Sequence, residues 1–219
     1  MPVTIENEIM KTAGIFTILI LLAVASHAPA PVASQPRKRL QPLPDDPAAT
    51  AEDRLSIRRA YEIARNAVSH GNEPFGALLV RNGRILAECE NAVQTTRDVT
   101  KHAEAGLISD VCLRMNRDDF RGSTLYASTE PCTMCCGAIR WAGIERVVFG
   151  VSESQVDRIF EAHFGDAVAT NPLRSKEVFR RIEPRTTVIG PIAEAEGLST
   201  HDEFWPKFLS REKKSQQPP

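Results

Sequence analysis

The stretch TLYASTEPCTMCCGAIRWAGIERVVFG, residues 124–150, decides the fold. Its opening reads as a strand, CTMCCGAIRWAG as a helix, and the final residues, continued by Val151, as a second strand. A strand, a helix and a strand in so short a run predict an α/β layered fold with a mostly parallel sheet. Upstream, FGALLVRNGRILAEC at 75–89 reads as two strands joined at Asn82-Gly83, the strongest short hairpin signal. Residues 50–69 space Leu55, Ile57, Ala60, Tyr61, Ala64 and Val68 at a helical period among charged residues. AEAGLISDVCLRM, from Ala103, reads as a further helix. Beyond residue 152 the pattern weakens: SQVDRIFEAHF and SKEVFRRI read as helices and TTVIG as a short strand. HDEFWPKFLSREKK reads as a closing helix interrupted near Pro206. Its cluster of Phe204, Trp205, Phe208 and Leu209 is expected in the core or at an interface rather than around a ligand.

With 42% hydrophobic and 25% charged residues in 219, the chain has the composition of a globular protein with one core. The formal charge is −1, so no bulk electrostatic force favours nucleic acid. A local patch of Arg174, Lys176, Arg180, Arg181 and Arg185 is the exception. Three of the five cysteines crowd at 132–136, a metal or redox pattern rather than a disulfide framework. Cys89, Cys112 and Cys136 are expected as small buried apolar residues.

The apolar run AGIFTILILLAVA, residues 13–25, is shorter than the roughly 20 residues of a membrane-spanning helix. Read from Met10, it has a basic start, an apolar run and Ala23-Val24-Ala25 before Ser26, the parts of a secretory signal. Residues 1–25 are therefore expected to direct export, with an uncleaved segment on a cytoplasmic enzyme as the alternative. Three free thiols count against export. Residues 26–47 are proline-rich and read as a linker, 48–213 as the folded domain, and 214–219 as a disordered tail.

KHAEAG at 101–106 sets His102 two residues before Glu104. On a regular helix the two would point apart, so both serve one site only if it lies off the helix end. Cys132 and Cys135, three apart at a helix start, can grip one ion, and a helix N-terminus favours the thiolate. With His102 as third ligand the fourth tetrahedral position is left for water, the catalytic arrangement of zinc. Glu104 can then move protons beside that water. A lone Cys-x-x-Cys could instead be redox or structural.

Together, His102-x-Glu104 and Pro131-Cys132-x-x-Cys135 match the zinc deaminase signature H-x-E…P-C-x-x-C. On these residues, and on EPFGALLV at 73–80, the chain resembles the cytidine deaminase-like superfamily from about 55 to 152. The resemblance implies a three-layer α/β/α sandwich with a five-stranded mixed sheet and one zinc per subunit. It implies a hydrolase releasing ammonia, with His102, Cys132 and Cys135 as ligands and Glu104 as proton shuttle. It further implies substrate contacts from Asn91, from Phe75 with the Gly76 and Ala77 backbone, and from the carbonyl of Glu130. A homodimer is the expected assembly.

Cys-x-x-Cys and the PFGA segment resemble the branch of guanine, cytosine and tRNA-adenosine deaminases. Phe75 is similar to guanine and nucleoside deaminases, where tRNA enzymes usually carry an aliphatic residue. The expected substrate is therefore a small base or nucleoside, guanine-like first, with no nucleic-acid partner and no stable membrane span. The alternative is a tRNA adenosine deaminase, and a non-catalytic zinc-stabilised binding protein is the third reading. Lys101 and residues 152–185 depart from the family pattern. Among histidines outside the motif, His163 is the candidate nearest in kind to a pocket residue, whereas His70 and His201 read as surface or structural.

Overall fold

A computed structural model describes residues 40–164 and 173–215. The expected signal segment, most of the linker and residues 216–219 lie outside these. The chain is already in place at Leu40, ahead of Ala48 where the sequence puts the start of the domain. Asp46 donates its backbone N–H to the Pro191 carbonyl at 2.8 Å, and Asp45 accepts the Ala193 N–H at 2.8 Å. No helix among the described residues is long and apolar enough to cross a membrane.

Helix α1 (Ala51–Ser69) opens with a capping box: Thr50 Oγ1 accepts the Asp53 N–H and Asp53 Oδ2 accepts the Thr50 N–H. Strands β1 (Gly76–Arg81) and β2 (Arg84–Glu90) form the expected hairpin. Asn82 and Gly83 both take positive φ, 52° and 70°, as a two-residue turn matching the strand twist demands. A short helix α2 (Val93–Thr96) leads to α3 (Ala103–Cys112). A 3₁₀ turn precedes β3 (Thr124–Thr129), followed by α4 (Thr133–Ala142), β4 (Arg146–Val151) and α5 (Glu153–Phe164). Then come α6 (Ser175–Ile182), β5 (Thr187–Ile189) and α7 (Glu194–Ser215).

The sheet runs β2-β1-β3-β4-β5, with β1 antiparallel to both neighbours and β3, β4 and β5 parallel. One apolar core joins the sheet to α3, α4 and α6 through Leu107, Val111, Ile139 and Phe179. A second core on the opposite face takes Ile57, Tyr61, Ile159 and Trp205 from α1, α5 and α7. The architecture is the three-layer α/β/α sandwich with a five-stranded mixed sheet. Because β1 opposes β3, the start of β1 and the ends of β2, β3 and β4 share one edge.

Three readings need correction. The closing helix begins at Glu194 and passes through Pro206 unbroken. Leu198, His201, Trp205 and Leu209 recur every three or four residues and are all buried, so tertiary packing outweighs the backbone hydrogen bond that proline forfeits. Cys112 is exposed, because it closes α3 where that helix leaves the sheet, and Cys89 is only partly buried. The Phe204–Leu209 cluster packs in the second core as expected, and Trp205, Phe208 and Leu209 also border the cleft described below.

Asp53 ties the layers together. It accepts two hydrogen bonds from Arg146 at 2.8 and 2.9 Å and one from the Tyr126 hydroxyl at 2.9 Å. Burial alone would raise its pKa, but the Arg146 guanidinium, with the Thr50 N–H and Tyr126, lowers it to about 2. Since the folded value lies below the unfolded one, its stabilisation is complete above about pH 4 and fades as pH falls towards 2. Replacing it by Ala strands a half-buried guanidinium and should cost about 2 kcal/mol or more at neutral pH. Urea unfolding of wild type and Asp53→Ala should show that gap narrowing below pH 4.

Candidate active site

His102 and Cys132 occupy equivalent positions, each the N-cap of a helix: His102 before α3 and Cys132 before α4. Both take extended backbone, with φ and ψ of −65° and 154° for His102 and −68° and 170° for Cys132. An N-cap side chain points off the helix end, so His102 escapes the two-residue divergence that a helix would impose. Cys132 is thus the cap rather than a first-turn residue. Cys135 follows within the first turn of α4 and is fully buried. Helices α3 and α4 lie side by side on the sheet, anchored by Ala103, Leu107, Cys136 and Ile139, and this brings their two starts together.

Cys132 Sγ lies 3.6 Å and Cys135 Sγ 3.8 Å from His102 Nδ1, and all three donor atoms fall within 4.8 Å of one another. A tetrahedral zinc with Zn–S of about 2.3 Å and Zn–N of about 2.0 Å places sulfur and nitrogen roughly 3.6 Å apart. The three donors therefore fit zinc in both identity and spacing. Among the described residues they are the one such cluster. Cys136 turns away, its Sγ 3.5 Å from the Pro131 carbonyl, as the sequence reading expects.

Glu104 sits in the first turn of α3, 7% exposed, with Oε2 accepting a weak hydrogen bond from Cys135 Sγ at 3.5 Å. Burial, then the negative charge of Cys132, pushes its carboxyl up to about 7. The Cys132 thiol is drawn down to about 4, first by the hydrogen bond from Cys135 and then by His102, while Cys135 is pushed up, first by its bond to Cys132 and then by burial. The bond to Cys132 raises His102.

The cleft that reaches His102 holds about 450 Å³ and is walled by Phe75, Val156, Phe160, Trp205, Phe208 and Leu209. Of the residues expected to contact substrate, Phe75 is in this wall. Asn91 is buried at the end of β2, where Oδ1 accepts the Val93 N–H at 3.0 Å and Nδ2 approaches Glu73 at 3.5 Å. Gly76 serves packing: a Cβ there would lie 2.6 Å from the Ala64 backbone nitrogen, so only glycine lets α1 approach. Its N–H donates to Ser128 Oγ at 3.0 Å. Ala77 is buried in β1, and the Glu130 carboxylate accepts from the backbone and hydroxyl of Ser175 at 2.8 and 2.7 Å.

Sequence reasoning missed the α7 wall. His201, 2% exposed, accepts the Trp205 indole N–H on Nδ1 at 3.0 Å, so its other nitrogen carries the proton towards Thr129 Oγ1 at 3.1 Å. Burial lowers its pKa to about 4, which keeps it neutral at working pH. Phe75 meets it edge-on at 5.6 Å. The side chain of His163 is outside the described residues. His70 pairs with Glu90 at 2.8 Å on the surface.

Residues 50–151 match the family described as the cytidine and deoxycytidylate deaminase zinc-binding region. A probable cytosine deaminase of Schizosaccharomyces pombe is 32% identical over 70% of this chain and 93% of its own. The guanine deaminase of Bacillus subtilis is 33% identical over 71% and 94%. The tRNA-specific adenosine deaminase of the same bacterium is 38% identical, but over 45% of this chain and 62% of its own. In fold, the chain is similar to the guanine deaminase of Nitrosomonas europaea, with a TM-score of 0.58 at 22% identity over 74% of this chain and 86% of that one.

Metal analysis checks the donor set. Cys132→Ala and Cys135→Ala should each lose most of the zinc, whereas Cys136→Ala should retain about one equivalent.

Proposed function

Because the chain belongs to the zinc-binding cytidine and deoxycytidylate deaminase family, we propose that it hydrolyses the exocyclic amine of a free base, guanine-like before cytosine-like. It is a hydrolase of C–N bonds, whose relatives deaminate cytosine, guanine or tRNA adenosine. The observation that carries the finer choice is the cleft. Its 450 Å³ and its aromatic wall from Phe75, Phe160, Trp205 and Phe208 suit one flat ring. Most of that wall comes from beyond residue 151, and the matches to the base deaminases cover about 70% of this chain where that to the tRNA enzyme covers 45%.

The local basic patch also speaks for a small substrate. Arg174 pairs with Asp157, Lys176 with Asp46, Arg180 and Arg181 with Glu177, and Arg185 with Glu183. With a carboxylate beside each cation, the patch carries less net positive charge than its five cations alone would suggest.

In this reading His102, Cys132 and Cys135 hold the zinc. Zinc, when bound, supplies the Lewis acidity that makes water a nucleophile at neutral pH. Glu104, held beside the ligands by the first turn of α3, takes the proton of the attacking water on a carboxylate oxygen. It delivers that proton to a ring nitrogen, then carries the proton of the newly added hydroxyl to the amine, which leaves as ammonia as the C–N bond breaks and the carbonyl forms. The aromatic wall excludes water and fixes the plane of the ring. Asn91, whose amide is oriented by Val93 and Glu73, is assigned to the ring's polar edge.

Glu104→Gln should keep zinc yet lose at least ~10²-fold in rate, the lower range for removing a positioned acid/base. Loss of zinc along with activity would instead make Glu104 a ligand. Ammonia release from guanine, cytosine, their nucleosides and an adenosine-bearing tRNA loop tests the substrate. Turnover of guanine with little dependence on salt is expected. Turnover confined to RNA, falling steeply with salt, would overturn the free-base reading.

A further inference from the structure

We propose that the Glu153 carboxyl is the specificity-determining group of the cleft, accepting the ring N–H that a sugar replaces in a nucleoside, so that the site selects free bases. The inference rests on the base-deaminase reading and deepens it.

Glu153 begins α5 directly after β4, on the edge of the sheet that carries the candidate zinc ligands. Glu153, Val156 and Phe160 recur at helical spacing along one side of α5, and all three line the cleft with His102. The cleft is otherwise largely apolar. Polar groups in such a wall orient the ligand, since the remaining contacts have no direction.

The acids around the cleft separate by what they already hold. Glu73 accepts from Gln94 at 3.2 Å and lies 3.5 Å from the Asn91 amide. Glu130 accepts from Ser175 and, on its other oxygen, from the Glu153 backbone N–H at 3.2 Å. Asp157 is ion-paired with Arg174. The Glu153 side chain takes no hydrogen bond among the described residues, and Arg174 acts on it only at a distance. Burial, then Asp157 and Glu130, pushes its carboxyl up to about 8, so near neutral pH it is mostly the neutral acid, whose carbonyl oxygen is the acceptor it offers the cleft. A partly buried acceptor left in that state is costly, and a ligand N–H relieves the cost.

What the base must offer follows. The ring is fixed on one side by the zinc ligands and Glu104, which take the amine and a neighbouring ring nitrogen. Free guanine keeps N1–H beside the amine-bearing carbon and, far from it, an N–H on its five-membered ring; the N–H of free cytosine is N1, para to the amine-bearing carbon. In nucleosides the five-membered-ring nitrogen of guanine and N1 of cytosine carry the sugar and donate nothing. A site built around that donor rejects the analogue lacking it, because its acceptor is then left unpaired.

The test compares guanine with 9-methylguanine, which loses the N–H but adds only one carbon, on zinc-loaded wild type, Glu153→Gln and Glu153→Met. Wild type should prefer guanine by about tenfold or more in kcat/KM. Glu153→Met should lose that preference, with KM for guanine raised and KM for 9-methylguanine lowered because no acceptor is left unpaired, and kcat little altered for either. Glu153→Gln, which keeps an acceptor oxygen, should retain part of it. Zinc content and thermal melting establish that each variant is folded, and calorimetric binding of the two purines reads the same ratio without turnover. A preference that survives in Glu153→Met, or an equal fall for both purines, overturns the inference while leaving the free-base reading standing. A wild type that turns over RNA and neither purine brings down both.

Discussion

The distance between two helix starts is the constraint on which the rest of the site depends. His102 and Cys132 are both N-caps, 30 residues apart in the chain and 3.6 Å apart in space. Neither helix could set that distance alone. It follows from α3 and α4 packing side by side on one face of the sheet, with Leu107, Val111, Cys136 and Ile139 filling the space between them. Close-packed interiors respond to single methylenes, so a change in this core is felt at the zinc donors as surely as a change in a ligand. The same packing leaves Glu104 in the first turn beside Cys135 without placing it among the donors.

Much of this was legible in the sequence because the signals are local. Asn82-Gly83 announces its turn through backbone geometry, and the strand–helix–strand run at 124–150 states its own topology. His102, Cys132 and Cys135 are recognisable because the chemistry of zinc restricts both residue type and spacing. The cleft was harder to read, for a physical reason. Trp205 and Phe208 are apolar residues in an amphipathic helix, and nothing in such a pattern separates a core face from a cleft wall. Pro206 argued for an interruption, and only the burial of Leu198, His201, Trp205 and Leu209 on one side shows why α7 continues. Cys112 misled because a cysteine's usual burial says little about a helix end.

His201 shows how the late part of the chain is tied to the early part. It bonds Trp205 on one ring nitrogen and Thr129 on the other, and Thr129 stands three residues before Cys132. The strand that leads to Cys132 is thereby connected through one buried imidazole to the aromatic wall. Because burial holds that imidazole neutral, both bonds persist across the working pH range. A charged side chain there would need a counter-ion that the core does not supply.

The site thus divides along the chain. On the proposed reading its chemistry belongs to residues 102–135, where the spacing of donors admits few alternatives, and most of its selectivity to residues 153–209, where the wall is built from replaceable apolar groups. Enzymes that share the first segment can differ in substrate by changing the second, since ring orientation needs only one or two polar groups in an apolar wall. In this chain most acids near the wall are occupied: Glu73 by Gln94, Glu130 by Ser175, Asp157 by Arg174. On the proposed reading, that allocation leaves Glu104 to serve the proton and Glu153 to face the ring. The two carboxyls sit on different elements, Glu104 on α3 beside the candidate zinc donors and Glu153 on α5 in the lining of the aromatic cleft.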